Sequence, residues 1–465
     1  MRGWLKVKFN IDIPDGAKLL IRTLQNNGHS SYVVGGCVRD SILRRPIHDW
    51  DICTSATPEQ MLEVFKDRRV IETGLQHGTI TVVVDKIPYE ITTYRIDGDY
   101  SDNRRPDSVT FTDNLIEDLK RRDFTINAMA YNDEQGLIDP FGGFQDIQDK
   151  VIRCVGSAKE RFGEDALRIL RAIRFASQLQ FKIEAKTSSE IINQYKSLKN
   201  ISIERINSEF CKIAMSNSFY FNLVSFHVVF SLFIPELNNL IGFDQNNPYH
   251  SYDVFMHTVN ALSTCDRYDL TTVLATFFHD FGKPHCYQDG EDGIRHFKGH
   301  GKVSAEITDS IMRRLKFDND TRNNVVELVY YHDATFEVGK KYVKRWLNKI
   351  GEEQFRRLLK IRRADIKGQK IFYDKNRVKK VDNIEEILNE ILNEQECFCL
   401  KDLAVNGKDL IEIGYKPGRT LGNALKNLLE AVIAEKVENN KIELIKLANK
   451  LLKERNFDEE NINCN

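Results

Sequence analysis

The hydrophobic pattern of this chain changes once, near Ala158, and that change limits the folds open to it. From about residue 30 to residue 155, short apolar runs rich in β-branched residues predict strands, and they alternate with stretches that predict helices. Beyond Ala158, apolar residues recur at helical spacing almost throughout, beginning with residues 161–179. The sequence therefore predicts an α+β chain, in which a small mixed α/β head precedes an elongated all-α part.

The composition is that of a soluble globular protein and excludes several other classes. The 465 residues are too many for one ordinary core, and 41% hydrophobic with 29% charged residues is an ordinary balance. No apolar run approaches the roughly 20 residues that a membrane helix needs, and the first residues lack a secretory signal. Nine cysteines without a C-x-x-C pair argue against a disulfide framework or a zinc ribbon. We therefore expect a cytoplasmic protein with no membrane association and no obligate protein partner.

An acidic pair, Asp49 and Asp51, follows a turn of Gly35 and Gly36 and a basic residue, Arg39. Two carboxylates two residues apart on a strand point to the same face, where they can share one or two Mg²⁺ ions. A Gly-Gly turn lets backbone N–H groups approach a triphosphate that the same metals hold. A bare D-x-D is most often a strand edge or a turn. Combined with the glycines and the arginine, it indicates a nucleotidyl-transfer centre, where a hydroxyl attacks the α-phosphate of a nucleotide.

A second basic site lies further along the head. Residues 95–113 are rich in Asp, Asn, Arg and Gly and predict a long mobile loop. Beyond this loop, Arg122 closes a basic cluster with Lys120 and Arg121, directly before an apolar segment. Arg122 suits a role in holding the triphosphate or positioning the ribose; the alternative is a solvated turn before a core element.

Residues 161–179 predict a helix on which opposite charges are neighbours. Asp165 and Arg168 are three positions apart, so a carboxylate acceptor and a guanidinium donor would lie side by side. Cytosine and adenine both present an amine beside an unprotonated ring nitrogen and match such a pair, whereas uracil and guanine carry the reversed pattern. The pair is therefore suited to select C and A without a nucleic-acid template. The alternative is an ordinary intrahelical salt bridge worth about 0.3 kcal/mol.

Histidines are concentrated in the helical part, where seven of the eleven fall between residues 250 and 332. Imidazole together with carboxylate suits Mn²⁺, Ni²⁺, Fe or Mg²⁺, and a metal-bound water could hydrolyse phosphoesters. The alternative is a metal site kept for structure or RNA packing. His300 and His332 either extend such a site to two metals or are packed or surface histidines. The candidate ligands are His257, His279, Asp280 and Asp365.

The motifs of the head resemble those of class II tRNA nucleotidyltransferases, in the CCA-adding and poly(A) polymerase superfamily. The matching blocks are residues 35–51, 121–128, 139–143, 164–174 and 204–209, in the order of the family. This resemblance implies a polymerase-β-like head that adds C, C and A to the 3′ end of tRNA from CTP and ATP, with release of pyrophosphate.

The same resemblance implies roles for single residues. Asp49 and Asp51 would be catalytic and bind Mg²⁺, while Glu204, Arg205 and Glu209 would brace a helical neck. The implied nucleotide-binding residues are Gly36, Arg39, Arg122, Asp165, Arg168, Arg171 and Arg174, of which Asp165 and Arg168 form the amino-acid template.

The helical part carries two further resemblances. The order of His257, the adjacent His279 and Asp280, and Asp365 resembles the HD superfamily, which implies a second divalent metal (Mn, Ni, Fe or Mg). Residues 402–422, with glycines and basic side chains at a helix start, resemble the tail of bacterial CCA-adding enzymes and would grip tRNA; the alternative is a capped helical hairpin. The predicted domains are a nucleotidyltransferase head (1–155), a neck (156–245), an HD phosphohydrolase-like domain (246–375) and a tRNA-binding tail (376–465).

Three alternative functions stay open at this point. Within the family that the chain resembles, CC-adding enzymes have a shortened flexible loop, so the intact segment at residues 95–113 implies complete CCA addition instead of addition of CC alone. An A-adding tRNA nucleotidyltransferase and a poly(A) polymerase share the motifs of the head. An alternative of another class is an HD phosphohydrolase whose head serves as an RNA-binding module.

Overall fold

The chain forms two compact units in a computed structural model. Unit 1 comprises Met1–Asn238 and Arg314–Phe317, and unit 2 comprises Asn239–Arg313 and Asp318–Asn465. The structure describes residues 10–98, 108–248, 250–267, 269–335, 337–370 and 374–463, with the backbone alone for residue 76 and residues 455–463. The two units do not separate the predicted head from the neck or the predicted body from the tail, so the four-domain division stays a prediction.

Unit 1 is built on a mixed sheet of seven strands in the order β3-β4-β5-β2-β1-β8-β9. Strand β2 pairs parallel with β5, and the other neighbours are antiparallel. The central strands β1 and β2 are buried along their whole length. The strands of unit 1 are β1 Ser31–Val34, β2 Ile52–Thr54, β3 Arg69–Ile71, β4 Thr79–Val84, β5 Ile87–Thr93, β6 Arg95–Asp97, β7 Val109–Phe111, β8 Ala130–Asn132, β9 Gly136–Ile138, β10 Val151–Ile152 and β11 Lys182–Ile183.

The hairpin of β4 and β5 shows why the local sequence folds in this way. Strand β4 buries every second residue, so its apolar side chains lie on one face. Asp85 and Lys86 join the strands with φ of +50° and +68°, as the two-residue turns preferred in hairpins require. The strands predicted at residues 32–34, 79–84 and 89–93 are thereby confirmed. The ends of the predicted loop at residues 95–113 pair as β6 and β7, whereas residues 99–107, with Arg104 and Arg105, lie outside the described part.

Helices pack around this sheet and continue beyond it. Thr57 and Gln60 form a capping box at the start of α3, whose first residue is Pro58. The prediction of one helix over residues 161–179 is wrong, because Asp165 adopts an extended backbone (φ −134°, ψ 104°) between α6 and α7. The helices of unit 1 are α1 Asp15–Asn26, α2 Gly36–Ile42, α3 Pro58–Val64, α4 Leu115–Lys120, α5 Gly143–Gln148, α6 Ala158–Glu164, α7 Leu167–Leu179, α8 Ala185–Gln194, α9 Ile203–Ala214, α10 Phe219–Ser225 and α11 His227–Phe230.

Unit 2 is almost entirely helical, as the sequence predicts. Helix α16 is kinked at Gly351, whose φ is +78°. The short strands β12 Gln288–Asp289 and β13 Arg295–His296 form a hairpin. Among the described residues, no helix combines the length and the apolar character that crossing a membrane requires. The helices of unit 2 are α12 Val254–Thr264, α13 Leu270–Phe278, α14 His300–Arg314, α15 Asn319–Tyr331, α16 Lys340–Gly368, α17 Lys375–Asn393, α18 Gly407–Glu412, α19 Arg419–Ile433 and α20 Lys441–Asn463.

Candidate active site in unit 1 and candidate metal centre in unit 2

The ends of β1 and β2 place the glycine turn beside the acidic pair. The backbone N–H of Val34 donates to the carbonyl of Asp51 (3.0 Å), and Gly35 turns the chain into α2 with a φ of +82°. Asp49 and Asp51 precede β2 rather than lying on it, so the prediction that both are strand residues is wrong. Both side chains are exposed.

A third carboxylate, Glu90, belongs with this pair and escaped the sequence analysis. Residues Ile52 and Ile91 face each other in the parallel pairing of β2 and β5 and are both buried. Asp51 and Glu90, each one residue earlier, are both exposed, as the alternation of side chains along strands requires. In the sequence, the one sign of this role is a glutamate inside the apolar run at residues 89–93. Its position next to Asp51 follows only from the register of β2 with β5.

The electrostatics of Asp51 indicate what the three carboxylates can hold. Asp51 keeps solvent contact, yet desolvation by the surrounding protein raises its pKa. Glu90 and Asp49 raise this pKa further, whereas Arg122 lowers it. Because close carboxylates repel one another and offer only oxygen atoms, this donor set suits a hard divalent cation.

Arg39 and Arg122 approach the glycine turn from two sides. The guanidinium of Arg39 donates to Asn127 Oδ1 (2.6 Å) and to Asp40 Oδ2 (2.7 Å), which fixes its orientation. A Cβ atom on Gly35 would lie only 2.9 Å from Nη1 of Arg122, so a glycine permits this close approach. Buried Asp118, which the sequence analysis also missed, accepts a weak hydrogen bond from Arg122 (3.4 Å).

Two buried carboxylates, Asp123 and Glu209, anchor two arginines of α7. Asp123 Oδ2 accepts from Nε and Nη2 of Arg171 at 2.8 and 2.5 Å, and Asp123 Oδ1 accepts from Asn127. Burial alone would raise the pKa of Asp123, but the charge of Arg171 and the hydrogen bond from Asn127 lower it to about 2. Arg174 pairs with Glu209 at 2.9 Å and lies over the ring of Phe175. The arginines are therefore held in place before any ligand binds.

Asp165 and Arg168 do not pair with each other, contrary to the intrahelical neighbours that the sequence predicts. Asp165 Oδ1 accepts from the backbone N–H of Leu167, and Oδ2 accepts from Nη2 of Arg205, both at 3.0 Å. Arg168 donates to Glu164 Oε2 (2.5 Å). Because the helix is interrupted between α6 and α7, the carboxylate of Asp165 and the guanidinium of Arg168 are each held by different partners.

One cavity of about 490 Å³ in unit 1 connects these groups. Asp49 does not line it, whereas Asn127 and Arg205 do. The predicted site residues that line the cavity are Gly36, Arg39, Asp51, Arg122, Asp165, Arg168, Arg171 and Arg174. Such a volume, with seven guanidinium groups around it, can receive a nucleoside triphosphate.

Unit 2 holds six buried side chains that we call the histidine–aspartate cluster: His257, His279, Asp280, His300, His332 and Asp365. Two groups of three within it, among the described residues, bring their ligand atoms within 4.8 Å of one another and could hold a metal ion. The first is His257, His279 and Asp365, and the second is Asp280, His300 and His332. The four side chains predicted as metal ligands therefore lie close together, and His300 and His332 are buried beside them instead of being surface residues. That any of them binds a metal stays a prediction.

The side chains of the first group lie close to one another and to Asp280 of the second group. Nε2 of His257 and Nε2 of His279 are 3.1 Å apart, and both lie 3.2 Å from Asp280 Oδ2. Asp365 Oδ1 lies 3.3 Å from Nε2 of His257. Burial would raise the pKa of Asp280, but His279 and Lys283 lower it well below its usual value. Imidazole nitrogens that converge on carboxylate oxygens are the donor set of a transition-metal ion.

The region predicted to grip tRNA forms a capped helical pair. Asn406 caps α18 in a capping box with Asp409, and α18 packs with α19 and α20 over a shared apolar core. Contact with tRNA by residues 402–422 stays a prediction.

Two family models match the chain. The first, described as the poly A polymerase head domain, matches residues 31–153. The second, described as a putative tRNA nucleotidyltransferase domain 2, matches residues 289–448.

Whole-chain comparisons extend these matches. A CCA-adding enzyme of Lactobacillus delbrueckii is 35% identical over 90% of this chain and 94% of its own length, and one of Enterococcus faecalis is 33% identical over 93% and 94%. The crystal structure of the Bacillus stearothermophilus CCA-adding enzyme in complex with CTP aligns with a TM-score of 0.67 and 28% identity, covering 95% of this chain and 98% of that one. The Thermotoga maritima CCA-adding enzyme complexed with tRNA aligns with a TM-score of 0.59 at 22% identity, covering 94% and 95%, and shares the fold.

Proposed function

This chain belongs to the CCA-adding enzymes, and on that premise we propose that unit 1 adds C, C and A to the 3′ end of tRNA from CTP and ATP, releasing pyrophosphate. The observation that carries this proposal is the single cavity that Asp51, Arg171 and Arg174 line together with Asp165 and Arg168. This cavity would bring together a carboxylate that binds the metal, arginines that bind the triphosphate and a pair of side chains that recognises the base. A cytoplasmic location follows from a tRNA substrate.

The proposed metal in unit 1 is Mg²⁺, held by Asp49 and Asp51 with Glu90 beside them. The raised pKa of Asp51 among like charges supports a cation at this position. Mg²⁺ there would polarise the 3′ hydroxyl of the tRNA and stabilise the charge on the leaving pyrophosphate. Gly36, Arg39 and Arg122 would hold the triphosphate, because they line the cavity and lie beside the glycine turn.

The proposed template is the pair Asp165 and Arg168, although they are not helical neighbours. A carboxylate offers about four acceptor sites, of which Asp165 uses two, on Leu167 and Arg205. A guanidinium carries five N–H groups, and Arg168 uses three of them, on Glu164 and on the carbonyls of Arg161 and Arg121, so two remain for a ligand. Asp165 would accept from the exocyclic amine and Arg168 would donate to the ring nitrogen, with Arg171 and Arg174 supporting the triphosphate.

We propose a second function for unit 2, a metal-dependent phosphohydrolase of the HD type. The convergence of His257, His279, Asp280 and Asp365 in a buried group supports a divalent cation there. A divalent cation at this point would supply activated water for phosphoester hydrolysis. Retention of the metal for structure alone is the alternative, and hydrolysis by the purified protein distinguishes the two.

The test is end-sequencing of tRNA transcripts lacking CCA after incubation with the full chain, Mg²⁺ and CTP alone, ATP alone, or both. We expect CCA ends with both nucleotides. Extension by A only on transcripts that already end in CC would make the chain an A-adding enzyme, and long A tracts would make it a poly(A) polymerase.

Two variants tie this activity to the proposed site. Asp49→Ala should abolish incorporation while sparing any hydrolysis by unit 2. Asp133→Asn, a change at an exposed aspartate of the same unit, is the matched control and should retain full incorporation. Incorporation that survives Asp49→Ala would contradict the assignment and favour a head that only binds RNA.

A further inference from the structure

One aromatic ring, that of Phe175, contacts three of the arginines around the nucleotide cavity. The guanidinium carbon lies 4.3 Å from the centre of this ring in Arg174, 5.0 Å in Arg39 and 5.5 Å in Arg171. These distances are within the range of about 6 Å over which an aromatic face attracts a cation. All four side chains also line the cavity. They therefore form one connected group, which we call the arginine–phenylalanine group.

Two helices of unit 1 meet at this ring. Phe175 lies on α7, where it directly follows Arg174 and comes four residues after Arg171, so helical spacing accounts for two of the contacts. Arg39 lies on α2, the helix that follows the glycine turn. The ring of Phe124 packs edge-on against the ring of Phe175, with centroids 5.7 Å apart and planes at 80°, and both side chains are buried. Packing therefore fixes the ring that the arginines of both helices share.

The three guanidinium groups are close enough to repel one another. Burial lowers the pKa of Arg174, and its partner Glu209 raises it. The positive charges of Arg171 and Arg39 lower the same pKa. Nε of Arg174 and Oε2 of Glu209 are 2.9 Å apart, but within the described part of the chain neither atom makes a hydrogen bond of good geometry. Arg174 is also the arginine nearest the ring, so its orientation depends most on that contact.

We infer that Phe175 is a positioning residue for nucleotide binding, whose ring holds Arg39, Arg171 and Arg174 in the orientation that receives the triphosphate. This inference rests on the function proposed for unit 1 and adds the side chain that keeps its phosphate-binding arginines in place. A further carboxylate could also orient the arginines, but its negative charge would repel the phosphates. An aromatic face attracts cations without a net charge and accepts no particular N–H group, so donors remain for phosphate oxygens.

Steady-state kinetics test this role. Phe175→Leu removes the ring and keeps an apolar side chain. With the full chain, Mg²⁺ and tRNA transcripts that end in C or in CC, KM for CTP and KM for ATP should each rise by roughly 5- to 30-fold, the range for losing buried cation–π contacts. The factor by which kcat falls should be smaller, because the contacts exist before the reaction begins. The preference for CTP over UTP should stay unchanged, since base recognition is assigned to Asp165 and Arg168.

Pyrophosphate is the probe for the phosphate part of the site alone, because it carries no base. Its dissociation constant from the full chain with Mg²⁺, measured by isothermal titration calorimetry, should rise in Phe175→Leu by about the same factor as KM for CTP. Unchanged pyrophosphate affinity, or a lower preference for CTP over UTP, would overturn the inference.

Two further variants separate positioning from packing of the core. Phe175→Tyr retains the aromatic ring and should keep KM close to that of the parent chain. Phe65→Leu removes a ring from another buried position of unit 1, outside the cavity lining, and is the matched control that should leave KM for both nucleotides unchanged. If KM rises as much in Phe175→Tyr or in Phe65→Leu as in Phe175→Leu, the inference is overturned. If Phe175→Leu does not fold, as judged by circular dichroism, Phe175→Met takes its place with the same expected results.

A double-mutant cycle shows whether the ring acts through an arginine. Arg174→Ala removes the arginine nearest the ring. Adding Phe175→Leu to it should raise KM for CTP by a smaller factor than in the parent chain, because one of the three contacts is already lost. Equal factors in both backgrounds would mean that ring and arginine act independently, which would overturn the inference.

The same measurements distinguish this inference from the function on which it rests. A parent chain that neither incorporates CTP nor binds pyrophosphate would overturn the proposed function. A parent chain that incorporates both nucleotides, together with an unchanged KM in Phe175→Leu, would overturn the role of Phe175 alone.

Discussion

At the scale of single residues, the hydrogen-bond partners of Asp165 are set by its position between helices α6 and α7. Its backbone is extended, and the carboxylate accepts hydrogen bonds from the backbone N–H of Leu167, the first residue of α7, and from Arg205. An arginine 40 residues further along the chain thus orients the group proposed to read the base. A helical Asp165 would have pointed along the surface of a continuous helix instead.

The first residue-scale prediction concerns base selection. Asp165→Ala should lower the preference for CTP over UTP by roughly 10- to 100-fold, because a base-specific hydrogen-bonded pair discriminates by about 1–3 kcal/mol. The measurement is kcat/KM for each nucleotide on tRNA ending in C, with Asp133→Ala as the exposed control. An unchanged ratio between the two nucleotides would refute the template role.

The second residue-scale prediction concerns Asp123 and pH. Its pKa is about 2 in the folded chain, below the value of about 3.9 of an unfolded aspartate, so its ionisation stabilises the fold above the unfolded value. Asp123→Asn should therefore lower the free energy of unfolding by about 2–3 kcal/mol at neutral pH. The difference from the parent chain should shrink as the pH falls below about 4 towards 2. Urea unfolding of the full chain, followed between neutral pH and pH 2, measures this difference. A difference in the free energy of unfolding that stays constant with pH would contradict the prediction.

At the scale of elements, the crossing of α12 and α16 assembles the first half of the histidine–aspartate cluster. His257 lies on α12 and Asp365 on α16. Gly368, three residues after Asp365, allows the helices to touch, since a Cβ atom there would lie 2.7 Å from the backbone nitrogen of Ala261. Ala261 is four residues after His257, and Gly368 is three residues after Asp365. The contact between Gly368 and Ala261 therefore lies about one helical turn from the two proposed ligands.

Gly368→Ala should therefore separate the two ligands as well as strain the crossing. We expect a stability loss of about 1–3 kcal/mol, typical of overpacking, and a weaker first metal site. Gly422→Ala, in α19, is the control, because nothing lies within 4 Å of the added Cβ atom. Removal of glycine from an exposed helix should leave that control as stable or slightly more stable. Unaltered Mn²⁺ affinity in Gly368→Ala would show that the crossing does not set the site.

At the scale of the whole molecule, the proposed chemistries lie in different compact units. The nucleotide cavity is lined by residues of unit 1, and the histidine–aspartate cluster belongs to unit 2. Each unit has its own buried core, and ligands that bind one folded unit stabilise that unit.

Calorimetry of the full chain should consequently show two unfolding transitions. Mn²⁺ added to the chain with Asp49→Ala and Asp51→Ala should raise only one of them, by about 5–11 °C at a hundredfold excess over the dissociation constant. CTP with Mg²⁺ should raise the other in the parent chain. A single transition that both ligands raise equally would show that the units unfold together.

The sequence by itself determined the mixed α/β head and the helical remainder. It also identified individual candidate residues of the nucleotide site in unit 1 and of the histidine–aspartate cluster in unit 2. These properties depend on residues that are close together in the sequence. The period of apolar side chains predicts strands and helices, and the spacing of carboxylates, glycines and histidines indicates which chemical groups can act together. The strands at residues 32–34, 79–84 and 89–93 are found where this logic places them. The four side chains predicted as metal ligands in unit 2 lie close together, and their role as ligands stays a prediction.

Only the tertiary structure decided which distant residues meet. The register of β2 with β5 brings Glu90 beside Asp51, and helix packing brings His300 and His332 to the free oxygen of Asp280. The extended backbone at Asp165 was not visible in a sequence whose local pattern favours one helix, because long-range contacts, here with Arg205, overrode local preference. Register and helix crossings are set by side-chain packing across the whole fold, and no local segment contains that information.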